Sequence, residues 1–155
     1  MKLDQIDLKI LRHLQENARI TNADLAEKVG LSPTPCLRRL RRLEADGIIK
    51  GYRTDVNRDV LGLPVTVIIL VKLEKEDEVH LRAFEELTMR RPEIMECHLV
   101  TGKFDYFVRV VLPTLTAYEP FLSDTLLRTE NIASIESSFT LREVTKKAVL
   151  PAGGA

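Results

Sequence analysis

The amino-acid sequence predicts an α+β protein in two parts: an N-terminal, winged-helix-like helix-turn-helix domain and a C-terminal ferredoxin-like βαββαβ domain. Two observations predict this division. In the first third of the chain, apolar residues recur every three or four positions, as in amphipathic helices. From residue 65 the pattern changes to alternating strands separated by two helical segments. The predicted limits are 1–56 for the first domain, 57–63 for a linker, 64–148 for the second domain and 149–155 for a tail.

The charge distribution and the apolar content exclude several classes of protein. The 155 residues carry 23 Lys and Arg against 23 Asp and Glu, yet residues 1–60 have a balance of +3 and residues 61–155 a balance of −3. This division favours an anionic partner for the N-terminal part. No apolar run reaches the roughly 20 residues of a membrane-spanning helix, and the first residues lack the apolar segment of a signal peptide. We therefore expect a cytoplasmic protein without a membrane partner.

Cysteine and histidine positions give no sign of a metal site or of catalysis. Cys36 and Cys97 lack metal-ligand spacing. The neighbours Cys97 and His98 would point to opposite faces of a strand. No phosphate-binding loop, nucleophile motif or dinucleotide fingerprint is present. We therefore expect no metal, no cofactor and no enzymatic activity.

The first domain is predicted to contain three helices. Asp4 suits the N-cap of the first helix, Gly30 suits the end of the second, and Ser32 followed by Pro33 marks the start of the third. Only Gly30 and Leu31 separate the second and third helices, which is typical of a helix-turn-helix. The predicted elements are helices over 4–16, from Thr21 to about Val29 and from Ser32 to Asp46, and a strand over Ile48–Val56.

Four arginines within five positions distinguish the third helix. At about 100° per residue, Cys36, Leu37, Leu40 and Leu43 face the core, and Thr34, Pro35, Arg38 and Arg42 face away from it. Arg39 and Arg41 flank the outer face. The N-terminal part of such a helix enters the DNA major groove, where arginine contacts guanine or phosphate. The alternative is a solvated helix face, with Arg41 and Arg42 paired to local acids such as Glu44 and Asp46.

We therefore predict a DNA-binding surface on the third helix. Arg38 and Arg42 are the candidates for reading base edges, and Arg39 and Arg41 for holding phosphates or local acids. Ser32 and the free N–H groups of the first turn suit a phosphate oxygen. The complete set of DNA-binding candidates is Ser32, Thr34, Pro35, Arg38, Arg39, Arg41 and Arg42.

The second domain is predicted from its alternation. The strand over residues 65–73 is apolar on both faces in its middle, which indicates cover on both sides. In a ferredoxin-like domain both helices lie on one face, so a second copy of the sheet is the candidate cover and a homodimer is expected. The other predicted elements are a helix over 78–90, strands over 94–100 and 106–112, a helix over 116–128 and a strand over 135–144.

The loop VTGKFDYFV, between two of these strands, is the candidate ligand site. Gly102 would let a ligand approach the backbone, and Asp105 would bind an ammonium group. Ser137 and Ser138 in the last strand would supply hydroxyl groups to a carboxylate. The alternative is that Gly102 and Asp105 are ordinary turn residues.

Taken together, these segments resemble the Lrp/AsnC family, the leucine-responsive or feast/famine transcription regulators of bacteria and archaea. The matching segments cover nearly the whole chain: LDQIDLKILRHLQENARITNADLAEKVGLSPTPCLRRLRRLEADGIIKGY, LGLP, TGKFDYFVRV and SSFTLREV. The resemblance implies a DNA-binding helix-turn-helix and a ferredoxin-like domain that dimerises and binds amino acids. It also implies assembly of dimers into octamers or similar rings, with the amino acid between dimers.

Carried over, the resemblance makes Ser32–Asp46 the recognition helix. The paired serines followed by phenylalanine resemble the branch that responds to leucine, methionine or other apolar amino acids. Family loops often carry Asp-Tyr where this chain has Lys103-Phe104, which bears on the identity of the effector. The implied effector-binding residues are Thr101, Gly102, Lys103, Phe104, Asp105 and Tyr106, with Ser137, Ser138 and Phe139 as the facing wall from another subunit.

The predicted function is sequence-specific binding of double-stranded DNA by a transcription regulator whose assembly or DNA affinity responds to a small amino acid. The expected location is the bacterial or archaeal cytoplasm, in association with the nucleoid. The alternative is an amino-acid-binding sensor module, or an enzyme regulatory subunit, that does not bind DNA.

Overall fold

The computed structural model describes residues 2–147 and 149–151, which divide into two units. Val56–Glu143 form one unit, and residues 2–55 form the other together with residues 144–147 and 149–151. The prediction placed residues up to 148 in the second domain instead. The difference arises because Lys146 Nζ donates to Asp55 Oδ1 at 2.7 Å and the Leu150 N–H donates to Gln15 Oε1 at 2.7 Å.

Three helices form the N-terminal unit, as predicted: α1 (Gln5–Glu16), α2 (Asn22–Val29) and α3 (Pro33–Ala45). Asp4 caps α1 in a reciprocal capping box with Asp7, and the Thr21 side chain accepts from the Asp24 N–H at the start of α2. Gly30 ends α2 in the left-handed conformation, with φ of 72°.

The helices meet around one apolar core. The inner face predicted for α3 is confirmed at Cys36 and Leu43, which are fully buried, and Leu40 packs against the same core. Leu37 is only half-buried. This packing fixes α2 and α3 as a helix-turn-helix. The buried core residues are Ile10, Leu14, Leu25, Ala26, Val29, Cys36 and Leu43.

The strand predicted over Ile48–Val56 is wrong. After α3 the chain turns at Gly47, whose φ is 68°, and the N–H groups of Ile48 and Ile49 both donate to the Leu43 carbonyl, at 3.0 and 3.1 Å. Both isoleucines pack against the helical core. A strand needs a partner for its N–H and C=O groups, and the described residues of this unit form no strand for it to pair with.

The second unit has the predicted βαββαβ order. Its helical segments are α4 (Glu78–Arg90) and a mixed helix of three types: Leu115–Ala117 (3₁₀), Tyr118–Phe121 (α) and Leu122–Leu126 (π). The strands are β1 (Val65–Leu73), β2 (Ile94–Leu99), β3 (Tyr106–Leu112) and β4 (Ile132–Phe139). They form one antiparallel sheet in the order β2-β3-β1-β4.

The last strand lies earlier in the chain than the predicted 135–144. Ile132 already pairs with Leu73, and Phe139 pairs with Val67 near the other end of β1. One further hydrogen bond joins Thr140 to Thr66 at 2.9 Å. Because β1 begins at Val65, residues beyond Thr140 have no neighbouring strand, and β4 ends there.

Both helical segments cover the same face of the sheet, as predicted. The odd-numbered residues of β1 from Val67 to Leu73 are buried against them. On the opposite face, Ile68, Leu70 and Phe107 are half-buried, and no helix of this unit covers them. We call this second surface the open face.

Candidate functional site

Two of the four arginines of α3 bind the first turn of α1. Arg39 Nη1 donates to Asp4 Oδ2 at 2.6 Å and to Asp7 Oδ1 at 2.9 Å, and Arg42 Nη2 donates to Asp7 Oδ2 at 2.7 Å. Asp7 is only 1% exposed. The Asp7 N–H and then Arg39 lower the pKa of Asp4, and Asp4 and then Asp7 raise the pKa of Arg39. These contacts join α3 to α1.

The structure adds a contact for Arg42 that the sequence did not predict. The helical wheel placed Arg42 beside Arg38 on the face away from the core, and its side chain is 43% exposed, but its guanidinium also reaches Asp7 next to that of Arg39. The acid partners are not the local ones, since Glu44 accepts from the Tyr52 hydroxyl instead. Arg38 and Arg41 are exposed and have no ion pair among the residues that the structure describes.

The start of α3 is open to solvent. Ser32, Pro33 and Thr34 are exposed, Pro35 is half-buried, and the Ser32 side chain makes no capping hydrogen bond. Its hydroxyl is therefore free to bind an anion beside the free N–H groups of the first turn.

Asn22 supports this helix end and was missed by the sequence prediction. Its Nδ2 donates to the Pro33 carbonyl at 2.9 Å, which ties the start of α2 to the start of α3. The two residues are eleven positions apart and lie on either side of a turn. No periodic pattern or capping signal marks such a contact.

In the second unit, Asp105 attaches the loop between β2 and β3 to the end of β1. Its Oδ2 accepts from the Leu73 N–H at 2.7 Å and its Oδ1 accepts from Lys72 Nζ at 2.8 Å. The side chain is 9% exposed. Burial alone would raise the pKa of Asp105, but the Lys72 ammonium and the Leu73 N–H outweigh burial, and the pKa lies below its ordinary value.

A cavity of about 560 Å³ lies beside this loop. Gly102, with φ of 125°, and Thr101 line it together with Asp105, as predicted for a ligand site. Lys72 and Glu76, joined at 2.6 Å, bring one positive and one negative charge that the sequence prediction missed. These residues lie about thirty positions before the loop, so only the sheet brings them together. Leu81 and Leu99 add apolar wall.

Three of the residues predicted to bind the effector do not line this cavity: Lys103, Phe104 and Tyr106. Tyr106 is 1% exposed in the core, where its hydroxyl donates to Glu85 and its ring packs 4.5 Å from that of Phe84. Lys103 is solvent-exposed, 4.8 Å above the ring of Phe104 and 3.7 Å from Glu136. Of the predicted loop set, Thr101, Gly102 and Asp105 line the cavity.

Ser137, Ser138 and Phe139 do not share one surface. Because side chains alternate along a strand, Ser137 and Phe139 lie on the helix-covered face, where both contact Tyr118. Ser138 pairs with Ile68 on the open face. Ser137 and Ser138 of one chain therefore cannot hold the same carboxylate, as was predicted, because they lie on opposite faces of the sheet. None of the three lines the loop cavity of its own chain.

The two units together define a class of protein: a helix-turn-helix with exposed arginines, joined to a ferredoxin-like domain with a charged cavity. Residues 3–50 match the winged helix-turn-helix DNA-binding family, and residues 66–150 match the Lrp/AsnC ligand binding domain. The chain belongs to the Lrp/AsnC family of transcription regulators, with a DNA-binding domain and an amino-acid-binding domain.

Relatives and solved structures agree with this assignment. The chain is 40% identical over 144 residues to the leucine-responsive regulatory protein of Rhizobium meliloti, covering 93% of this chain and 92% of the relative. It is 43% identical over 150 residues to the Bkd operon transcriptional regulator of Pseudomonas aeruginosa, covering 97% and 98%.

Among solved structures, a Neisseria meningitidis transcriptional regulator in complex with L-methionine has a TM-score of 0.92 at 36% identity, covering 97% of each chain. Escherichia coli AsnC has a TM-score of 0.87 at 26% identity, covering 96% of this chain and 99% of that one. In the part of this chain that the structure describes, no helix is long and apolar enough to cross a membrane, and no cluster of side chains has a metal-binding arrangement.

Proposed function

We propose that this regulator reads specific DNA sequences through α3, and that an apolar amino acid such as leucine or methionine alters its assembly or DNA affinity. The observation that supports the proposal is that the four arginines of α3 differ in their contacts. Arg39 and Arg42 are paired with carboxylates of the first turn of α1, whereas Arg38 and Arg41 are exposed and have no ion pair among the residues that the structure describes. A helix that packs on two others and keeps two free arginines suits insertion into a groove.

Within this surface the residues have different roles. Arg38, one turn from the open end of α3, is the proposed reader of guanine, and Arg41 and Ser32 are proposed to hold phosphates. Thr34 and Pro35 complete the outer face of the first turn. Arg39 and Arg42 fix the position of α3 against α1 rather than contacting bases.

The loop cavity is the proposed effector site. Its Lys72 ammonium suits the carboxylate of an amino acid, its Glu76 and Asp105 carboxylates suit the ammonium group, and Leu81 and Leu99 suit an apolar side chain. The L-methionine complex of the Neisseria relative supports this chemistry. Lys103, Phe104 and Tyr106 then act from outside the cavity, through the shape of the loop.

A homo-oligomer is part of the proposal. The open face carries half-buried Ile68, Leu70 and Phe107, and a second copy of the sheet would bury them. Ser137, Ser138 and Phe139, which lie away from the loop of their own chain, remain the proposed wall against the loop of a different subunit. Dimers would assemble further into an octamer or similar ring. The protein is proposed to act at the chromosome, in the cytoplasm, and to have no enzymatic activity and no cofactor.

Fluorescence anisotropy with labelled DNA from upstream of the protein's own gene tests the DNA-binding proposal. Arg38→Ala and Arg41→Ala should each weaken binding at least tenfold without changing circular dichroism, with Arg38→Ala also reducing discrimination between specific and random DNA. Arg90→Ala, which removes an exposed arginine from α4, is the control and should bind normally. Amino-acid binding without any salt-sensitive DNA binding would support the sensor-module alternative instead.

A further inference from the structure

The two carboxylates of the proposed effector site are already paired with a cation of the protein. Lys72 Nζ donates to Glu76 Oε1 at 2.6 Å and to Asp105 Oδ1 at 2.8 Å. All three residues line the loop cavity. Asp105 and then Glu76 raise the pKa of Lys72, which favours its ammonium form. The ammonium group of an effector can therefore pair with both carboxylates only by displacing Lys72 Nζ.

The position of Lys72 Nζ can be reached from the cavity. The side chains of Lys72 and Glu76 are 32% and 60% exposed. Asp105 is largely buried, but its two oxygens have separate partners: Oδ2 accepts from the buried Leu73 N–H, and Oδ1 accepts from the partly exposed Lys72 ammonium. When the Lys72 side chain withdraws, Oδ1 is therefore uncovered on the side from which Lys72 reaches it.

A free amino acid has the groups that this exchange requires. Its ammonium group carries three N–H donors, as does that of Lys72, and so can make the same two hydrogen bonds. The displaced lysine would lose both of its partners, but the carboxylate of the amino acid supplies a new one. The flexible four-carbon stem of Lys72 allows it to turn to that carboxylate. An amine without a carboxylate offers the lysine no such partner.

We propose that, in the empty protein, Lys72 occupies the position that the ammonium group of the effector takes, and that on binding it turns to the carboxylate of the effector. The inference rests on the proposed effector site. It makes Lys72 the residue that selects molecules with both an ammonium and a carboxylate group. The loop is then attached to β1 through the bound amino acid, which replaces the direct ion pair between Lys72 and Asp105.

Isothermal titration calorimetry on the full chain with three compounds tests the proposal: leucine, 3-methylbutylamine (leucine without its carboxylate) and 4-methylpentanoate (leucine without its ammonium group). The unmodified protein should bind leucine roughly tenfold or more tightly than either of the others. Lys72→Met vacates the position between the carboxylates, so the amine should gain roughly tenfold or more in affinity and should bind more tightly than leucine.

Two lysine variants are the controls. Lys75→Met removes an exposed ammonium group one position from Glu76 but outside the cavity. It should leave the affinity for the amine within about twofold, which separates the vacated position from a general change in charge. Lys72→Arg keeps a cation and should keep the preference for leucine over the amine.

Thermal denaturation gives a second readout. Lys72→Met should lower the thermal midpoint, because the largely buried Asp105 carboxylate loses its cation, and 3-methylbutylamine should raise the midpoint again. A purely structural lysine would not be replaced by a free amine.

The outcomes separate this inference from the effector proposal. If the unmodified protein binds neither leucine nor methionine, the effector proposal fails, and rescue of Lys72→Met by the amine still decides the role of Lys72. Amine binding that Lys72→Met leaves unchanged would overturn the inference. Binding of the amine to the unmodified protein as tightly as leucine would also overturn it, whether or not the variant folds.

Discussion

Two substitutions of Asp105 distinguish the contributions of the two contacts by which its side chain holds the effector loop. Asp105→Ala removes both the acceptor for the Leu73 N–H and the partner of the Lys72 ammonium. Asp105→Asn keeps a carbonyl oxygen for the Leu73 N–H and removes only the charge. The pair of variants therefore measures the backbone hydrogen bond against the ion pair.

The burial of the two partners determines which contact matters more. Leu73 is 3% exposed, so its N–H would be left buried without a partner in Asp105→Ala, at a cost of about 1–3 kcal/mol. The Lys72 side chain is 32% exposed and keeps Glu76 as a second partner, so its ammonium stays solvated. We therefore expect Asp105→Ala to destabilise the second unit by about 2 kcal/mol and Asp105→Asn by less than half of that.

Urea denaturation followed by tyrosine fluorescence measures both values. With a slope of about 2 kcal/mol per molar urea, Asp105→Ala should lower the midpoint by about 1 M. Lys72→Met made in the Asp105→Asn background is the complementary control and should add little further cost, because no buried carboxylate is then left without its cation. If Asp105→Asn costs as much as Asp105→Ala, the ion pair dominates and the reasoning from burial is wrong.

Three further perturbations have defined outcomes. Asp7→Asn should weaken the hold on Arg42 and leave Arg39 paired with Asp4 alone. It should raise the affinity for random DNA at low salt while lowering the thermal midpoint, and unchanged random-DNA affinity would argue against the sequestration of Arg42. Gly30→Ala should destabilise the helix-turn-helix by about 1–2 kcal/mol in urea denaturation, because φ at this position is 72°. The pKa of Asp105 lies below its ordinary value of 3.8, so its stabilising contribution is present above that pH and is lost as pH falls through the lower folded value. The urea concentration at the midpoint should therefore decrease as the pH is lowered below about 4. In Asp105→Asn this decrease should be smaller.

Elements with local signals could be predicted from the sequence. The helix over 78–90 was predicted at its observed limits, and the caps at Asp4, Thr21 and Gly30 fixed the first two helices. In these cases the residues that decide the structure lie within a few positions of one another. The same holds for the alternation that defines β1.

Features that depend on distant partners could not be predicted. Arg42 meets Asp7 from 35 positions away, and Asp105 meets Lys72 from 33. The alternation after Gly47 resembles a strand, but a strand exists only where another strand pairs with it. For the same reason, β4 ends where its pairing with β1 ends rather than where its own apolar pattern ends. Tertiary partners, rather than residue preferences, determined each of these outcomes.

The contacts of Asp4 and Asp7 with α3 also affect the thermodynamics of DNA binding. Each phosphate that a protein neutralises releases counterions and contributes about −0.9 to the slope of log K against log salt. Four arginines that each neutralised a phosphate would contribute about −3.6 per helix, whereas Arg41, the arginine proposed to hold a phosphate, contributes about −0.9. Binding then depends less steeply on ionic strength than the sequence of α3 suggests. If α3 binds DNA as proposed, the acidic first turn of α1 makes that binding less sensitive to changes in salt concentration.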